Sequence, residues 1–159
     1  MAGWDKPLIS VVVSVTPGSL LRDGPAGNVA IASAVYPSAN LAIFNPFRVT
    51  QPLVIVKLFS YTGAIASGNI DMGIYDATGV KLISSGSVLQ GTINVLQEFD
   101  ITDTLIGPGL FYLAIAMDNI TGTLFRSTAT TLRSFRSAGH FQMATAFALP
   151  AVATFASLA

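Results

Sequence analysis

The residue types that perform catalysis or bind metals are few in this sequence, and their spacing matches no known catalytic group. His140 is the only imidazole of the 159 residues, and no G-x-S-x-G motif precedes it. A hydrolytic triad requires a nucleophile, a base and an orienting acid, and a zinc site requires several His, Cys or carboxylate ligands. The chain has no cysteine. We therefore interpret His140 as a structural or solvent-exposed histidine, and we expect no enzymatic activity and no cofactor.

Carboxylates offer two further kinds of site. Asp100 with Asp103, and Asp118 with Asn119, have the oxygen ligands that Ca²⁺ prefers near the ends of β-sandwich loops. The alternative is that these residues form Asx turns that close loops after strands. Asp71 with Glu98 would suit glycoside hydrolysis, although two acids on any sheet face fit that pattern equally well.

Aromatic residues are the last candidates for binding. Tyr61, Tyr75 and Tyr112 all fall on predicted strands, where a row of rings could stack against pyranose sugars. The alternative is that these rings pack at the rim of the core with their hydroxyl groups in water.

Short apolar-alternating segments, separated by Gly, Pro, Asn and Asp, fill most of the chain and predict β-strands. In the segment 69–75, Ile70, Met72 and Ile74 fall on one face at period two, and Asp71 and Tyr75 fall on the other. The predicted strands are Val29–Val35, Asn40–Phe44, Leu53–Tyr61, Gly68–Tyr75, Lys81–Ser87, Val95–Ile101, Leu110–Asp118 and Gly122–Arg126.

Two local patterns add detail to these strands. Asp76 to Gly79 predicts an Asx-type turn with glycine at a positive φ. In the strand 110–118, Phe111 and the alternate residues after it share a face, while Tyr112 and two alanines lie opposite. Small residues on an outward face allow another surface to approach closely.

Eight strands at a spacing near ten residues predict an all-β fold, an antiparallel β-sandwich. The paired cysteines of immunoglobulin domains are absent, which favours the jelly-roll type. We expect an extended N-terminal arm over residues 1–27 and a sandwich domain over 28–159. The alternative for the arm is a first strand of the same sandwich. After Thr128, the sequence predicts one or two more strands and an aromatic tail.

Composition predicts that other subunits cover much of the surface. Only 10% of the residues are charged, the net charge is zero and the mean hydropathy is +0.64, whereas ordinary domains are about 25% charged. No apolar run approaches the ~18 residues of a spanning helix, and a neutral chain does not attract nucleic acid. We therefore expect a closed homo-oligomer such as a trimer, with no membrane or nucleic acid partner. The tail aromatics are predicted to form its interface: Phe135, Phe141, Phe147 and Phe155.

Several segments resemble a β-sandwich domain of structural proteins of tailed bacteriophages. They include Leu53–Tyr61, Ala66–Gly79 and Leu82–Ser87, and later Phe99–Thr104, Gly107–Ala114 and Asn119–Ser127. The resemblance implies a non-enzymatic virion protein, commonly trimeric, made in the cytoplasm of the host bacterium. A capsid cement (decoration) protein that bridges the major capsid protein subunits fits best. A tail or fibre component, or a carbohydrate-binding module for host attachment, is the alternative.

Overall fold

The structure is a computed structural model that describes residues 13–14, 31–127 and 139–157. These residues form β-strands, turns and loops without a helix, and therefore without a helix that could cross a membrane. The strands are β1 (Val13–Ser14), β2 (Ile31–Val35), β3 (Ala42–Val49), β4 (Leu53–Tyr61), β5 (Asn69–Asp76), β6 (Lys81–Ser84), β7 (Val88–Leu89), β8 (Leu96–Ile106), β9 (Gly109–Met117), β10 (Thr123–Ser127), β11 (Phe141–Met143) and β12 (Ala156–Ser157). The all-β prediction is confirmed.

The main strands pair in a nested order. β5 pairs with β6 and β7, β4 pairs with β8, β3 pairs with β9, and β2 pairs with β10, all antiparallel. Each pair therefore encloses the pair inside it along the sequence. β5 also pairs with β9, which joins the innermost pair to β3 in one sheet.

These pairs form two layers around one core. One layer is a seven-stranded sheet in the order β12, β11, β3, β9, β5, β6, with β7 beside β5. The other contains β8 and β4, with the β2–β10 pair joined to the end of β4 by a bridge from Thr62 to Leu124. Apolar side chains from both layers meet between them, as in a β-sandwich. They include Ile55, Leu58, Ile70, Met72, Ile74, Phe99, Leu113, Ile115 and Met117.

Along β4 and β8, the side chains that face the core do not follow a single every-second-residue pattern. Leu58 pairs with Phe99 and both are buried, but farther along Ile55 pairs with Thr104. The register shift between Ile55 and Lys57 is a bulge, which lets the ladder continue to Ile106 with the apolar residues still facing inward. The predicted face of Phe99 and Ile101 is confirmed, but Val95 precedes β8 and is 41% exposed.

The eight predicted strands are all present, and three differ in length. The predicted Lys81–Ser87 strand ends at Ser84 as β6, and β7 begins just after it, at Val88. β3 and β8 run five residues beyond their predicted ends, to Val49 and Ile106. β3 contains Pro46, which lacks the N–H group that a ladder hydrogen bond requires. Within β3, only residues 42–44 pair with β11. Pro46 lies beyond that segment, where β9 is the one described strand that neighbours β3.

A second apolar cluster covers the outer face of the seven-stranded sheet. Residues 144–155, which we call the strap, run from β11 across that face to the β5–β6 turn and back to β12. A bridge between Val80 and Val152 fixes the far end. Leu149 and Ala153 of the strap are buried against Tyr75, Tyr112 and the alanines of β9. The predicted close approach to the small residues of β9 is thus confirmed, and the approaching surface belongs to the same chain.

Little of the predicted N-terminal arm is described. Of residues 1–27, only Val13 and Ser14 lie within the described residues, where they pair in parallel with Leu58 and Phe59 of β4. The predicted interface residue Phe135 also lies outside the described part of the chain.

Candidate functional site

The three tyrosines do not form a stacking platform, so that prediction is wrong. Tyr75 is fully buried beneath the strap, and its hydroxyl donates to the carbonyl of Pro150 at 2.6 Å. Tyr112 is 7% exposed on the same covered face. Tyr61 is 40% exposed, but it lies in the other layer and donates to the Asn94 carbonyl. The error arose because the polar face of β5 and β9 was expected to meet water.

The tail phenylalanines contact the chain's own sheet. Phe155 packs against Phe44, Tyr112 and Phe141, with ring centroids 4.6 to 5.1 Å apart. Phe141 and Phe147 also belong to this cluster, and each is partly buried. The sequence predicted that these phenylalanines contact a partner subunit. In the structure, Phe141, Phe147 and Phe155 instead pack against the chain's own sheet.

Asp71 fastens the strap and forms no catalytic pair. Its carboxylate is 1% exposed and accepts the Leu149 N–H at 2.9 Å, while Lys81 Nζ donates to the Leu149 carbonyl at 2.7 Å. Burial raises the pKa of Asp71, against the opposing effects of the Leu149 N–H and Lys81. Glu98 lies in the other layer, is exposed, and forms an ion pair with Lys57. The predicted Asp71 and Glu98 pair is wrong.

The candidate calcium ligands have other partners. Asp118 accepts hydrogen bonds from the backbone and side-chain amides of Asn69 and from the Asn119 amide. Burial acts to raise the pKa of Asp118, but these hydrogen bonds together lower it. Asp100 lies 3.3 Å from Lys57. No group of three metal-ligating side chains occurs among the described residues, so the Asx-turn alternative fits Asp118 and Asn119 better.

His140 has a structural setting. Its Nδ1 lies 2.8 Å from Oδ1 of Asn45, a buried residue of β3, and burial lowers the pKa of the imidazole. The contact with Asn45 and the burial of the ring agree with the structural interpretation of His140.

One end of the sandwich carries a surface that the sequence pattern did not predict. Three loops meet there, residues 62–68, 90–95 and 118–122, and we call this surface the loop end. Backbone hydrogen bonds join the first two loops, from Thr62 to Val95 and from Asn94 to Gly63. The Asn119 side chain donates to the Ser67 carbonyl and so attaches the third loop to the first.

A buried glutamine is the central tie of the loop end. Gln90 is 4% exposed; its Oε1 accepts the Ser67 N–H, and its Nε2 donates to the Thr123 carbonyl at 2.8 Å. The Gln97 side chain bonds the two residues that flank Gln90: its Oε1 accepts the Gly91 N–H, and its Nε2 donates to the Leu89 carbonyl. Because fixed side chains hold the loops together, the surface is ordered before any partner binds, which reduces the entropy lost on binding.

Exposed apolar side chains concentrate on this end. Of the twelve exposed large hydrophobic residues that the structure describes, eight lie in these loops or at the strand ends that adjoin them. These eight are Val35, Tyr61, Ile65, Leu89, Ile93, Val95, Leu96 and Ile120. Asp118 is the only charged residue within the three loops, and amide groups surround its carboxylate. A cluster of this kind on a protein surface indicates an interaction surface.

The sequence carried one weak signal of the loop end. Its loops contain Ile65, Ile93 and Ile120 among small polar residues, whereas loop tips ordinarily lack large apolar side chains. Single exposed isoleucines are common and need no explanation. Only the hydrogen bonds between loops distant in sequence show that these three belong to one surface.

Comparisons of the chain with protein-family models, with curated proteins and with solved structures give no match.

Proposed function

We propose that this protein is a virion structural protein, a capsid cement protein that bridges and stabilises neighbouring capsid subunits. The observation that carries the proposal is the loop end, an ordered, nearly uncharged surface where most of the exposed large apolar residues lie. Protein interfaces of assemblies lack charge in their cores and bury the side chains that a monomer would expose. The protein has no catalytic role in this proposal.

The strand pairing supports a jelly roll as the fold. In a jelly roll, nested antiparallel pairs wrap into two sheets of four strands. The nested pairs here place β2, β10, β4 and β8 in one layer and β3, β9, β5 and β6 in the other. Viral capsid domains and lectins both use this architecture, so the fold agrees with the proposal without selecting it.

The N-terminal arm supplies a second contact in the proposal. Val13 and Ser14 pair in parallel with β4 of the same chain, and this strand-forming tendency supports the proposed contact. An arm that adds a strand to a neighbouring subunit gains main-chain hydrogen bonds that side chains elsewhere cannot replace. Deletion of residues 1–27 should leave a folded sandwich that no longer binds particles. Normal binding by the truncated protein would show that the arm is dispensable.

A carbohydrate-binding module is the weaker alternative. Sugar stacking requires exposed rings, and among the three candidate tyrosines only Tyr61 is exposed, with its hydroxyl bonded to Asn94. A tail or fibre subunit has the same surface requirements as a cement protein, and the location of the protein in the particle distinguishes them.

The test is the presence and position of the protein in virus particles. Particles produced from the genome that encodes the chain are purified, their proteins are quantified by mass spectrometry, and a map of the particle locates the subunit. We expect many copies, located over the joints between capsid subunits. A position in the tail would favour the fibre alternative. Absence from particles, with binding to glycans on an array, would replace the proposal with the carbohydrate-binding module.

A further inference from the structure

Two buried hydroxyl groups on β4 and just beyond it lack a hydrogen-bond partner among the described residues. They are Ser60 Oγ and Thr62 Oγ1, and their residues are 2% and 0% exposed. Other buried hydroxyls nearby are bonded. Thr123 Oγ1, for example, accepts the Ile65 N–H at 2.8 Å and donates to the Ile65 carbonyl. A buried hydroxyl without a partner destabilises a fold, so such groups in native proteins usually bind an ordered water.

Strand periodicity places the two side chains on the same face of the chain, and both are buried. Ser60 and Thr62 are two residues apart in an extended segment and share the parity of Leu58, which is buried in the core. Side chains at this spacing are roughly 7 Å apart at their bases. One water with hydrogen bonds of about 2.8 Å to each oxygen spans about 5.6 Å, which matches two hydroxyls that turn toward each other.

We propose that Ser60 and Thr62 bind one structural water between the two sheets. The water bridges Ser60 Oγ and Thr62 Oγ1 and satisfies both groups. Globular proteins hold about one buried water per 27 residues, typically at groups without a protein partner, so a site of this kind is expected in a chain of this length.

The position of this water gives it a role in the loop end. The Thr62 N–H donates to the Val95 carbonyl, and Thr62 forms the bridge to Leu124 that joins β4 to β10. The water therefore lies at the base of the loops, where the two parts of one layer meet. It fixes the end of β4 from the interior, as Gln90 does at the adjoining loops.

The direction in which a single substitution changes the stability tests the proposal. Thr62→Val keeps the side-chain shape and removes the hydroxyl. If the hydroxyl holds a water, T62V leaves that water short of a partner, and the folding equilibrium constant falls about 5- to 30-fold. If the hydroxyl has no partner, its removal leaves stability unchanged or raises it. Urea denaturation measures the difference.

Two control substitutions calibrate the change in stability, and a double variant tests whether one water bridges both hydroxyls. Thr123→Val removes a buried hydroxyl with known partners and must destabilise the protein, whereas exposed Thr50→Val should have no effect. Ser60→Ala combined with T62V should cost less than the sum of the two single variants, because both hydroxyls hold the same water.

A high-resolution crystal structure of the whole chain gives the direct reading. We expect one ordered water within hydrogen-bond distance of both oxygens in the wild-type protein and none in the double variant. A T62V variant as stable as the wild type or more stable, or a wild-type structure without this water, would overturn the proposal.

Discussion

Asp76 holds the turn between β5 and β6 through one carboxylate oxygen. Its Oδ1 accepts the Thr78 N–H at 2.8 Å, the Thr78 hydroxyl at 2.7 Å and the Val80 N–H at 3.0 Å, and Gly79 adopts a φ of 90°. The Asx turn with a positive-φ glycine was predicted from the sequence and is confirmed. Such turns are predictable because every group that defines them lies within five residues.

Replacement of Asp76 by alanine should destabilise the protein by about 1 kcal/mol, less than is usual for bonds to a charged group because the site is near the surface. The Thr78 hydroxyl, followed by the backbone N–H groups, lowers the pKa of Asp76. Its contribution to stability is therefore complete above the ordinary carboxyl pKa of about 3.9, and it disappears as the pH falls through the lowered value. Asp76→Asn keeps an acceptor and should lose less stability on acidification. Urea titrations at pH 5 and at lower pH measure this, and equal losses would contradict it.

Asp71 should show the opposite dependence on pH. Burial raises its folded pKa above the ordinary value, so the unfolded chain ionises first as the pH rises. The stability associated with this group is present below the ordinary pKa and declines as the pH rises through the raised one. Relative to Asp71→Asn, the wild-type protein should therefore gain stability when the pH falls from 7 to about 4. If the difference in stability between the wild type and Asp71→Asn stays the same over this pH range, the raised pKa of Asp71 is contradicted.

Removal of the Asp71 acceptor tests its role at Leu149. Asp71→Ala should lower the free energy of unfolding by about 1–3 kcal/mol, because the Leu149 N–H is left buried without its acceptor. Asp71→Asn serves as the control, since its amide oxygen can still accept that bond. An equal loss in both variants would show that the charge, rather than the hydrogen bond, holds the strap.

Among the structural elements, the strap is the one whose position the sequence pattern could not predict. Alternation at period two identified the strands and the inner face, because Ile70 and Met72 have to avoid water wherever the strand lies. The opposite face carries Asp71, Tyr75 and alanines, which suit water, a partner subunit or another segment equally well. The choice depends on contacts between residues far apart in the sequence, such as the bond between Tyr75 and Pro150, which are 75 residues apart. Local periodicity does not contain that information.

Phe155 should contribute much of the stability of the strap. Its ring contacts three aromatic rings of the outer face, and Phe155→Ala should destabilise the protein by about 2–3 kcal/mol, less than the 3–5 typical of a fully buried phenylalanine. The variant should also bind more of a hydrophobic dye. Val152→Ala is the matched control, because Val152 is 59% exposed on the same strap. Equal effects of the two substitutions would contradict the packing argument.

At the scale of the whole molecule, the low charge of the chain has two separate explanations. Part of the apolar composition lies in the second cluster beneath the strap, which a monomer buries by itself. Beyond the inner core, a further part is exposed at the loop end, and no described residue covers it. The sequence predicted that apolar surface needed a cover, but composition alone does not distinguish these two locations.

We expect the purified chain to form a trimer. Light scattering after size-exclusion chromatography should give about three times the mass of 16.6 kDa. A stable monomer at micromolar concentration would contradict this prediction, and the strap would then account for more of the composition than we propose.

The most direct test of the proposed function is rebinding to particles that lack the protein. Particles produced from a genome with this gene deleted are mixed with purified protein, and bound copies are counted by quantitative mass spectrometry. Wild-type protein should bind to saturation. The loop-end variant Leu89→Ser with Ile120→Ser should lose binding without loss of stability, because both residues are exposed, at 68% and 57%. Leu105→Ser, at an equally exposed residue on the opposite end, should bind normally. Failure of the wild-type protein to bind, or undiminished binding by the loop-end variant, would contradict the proposal.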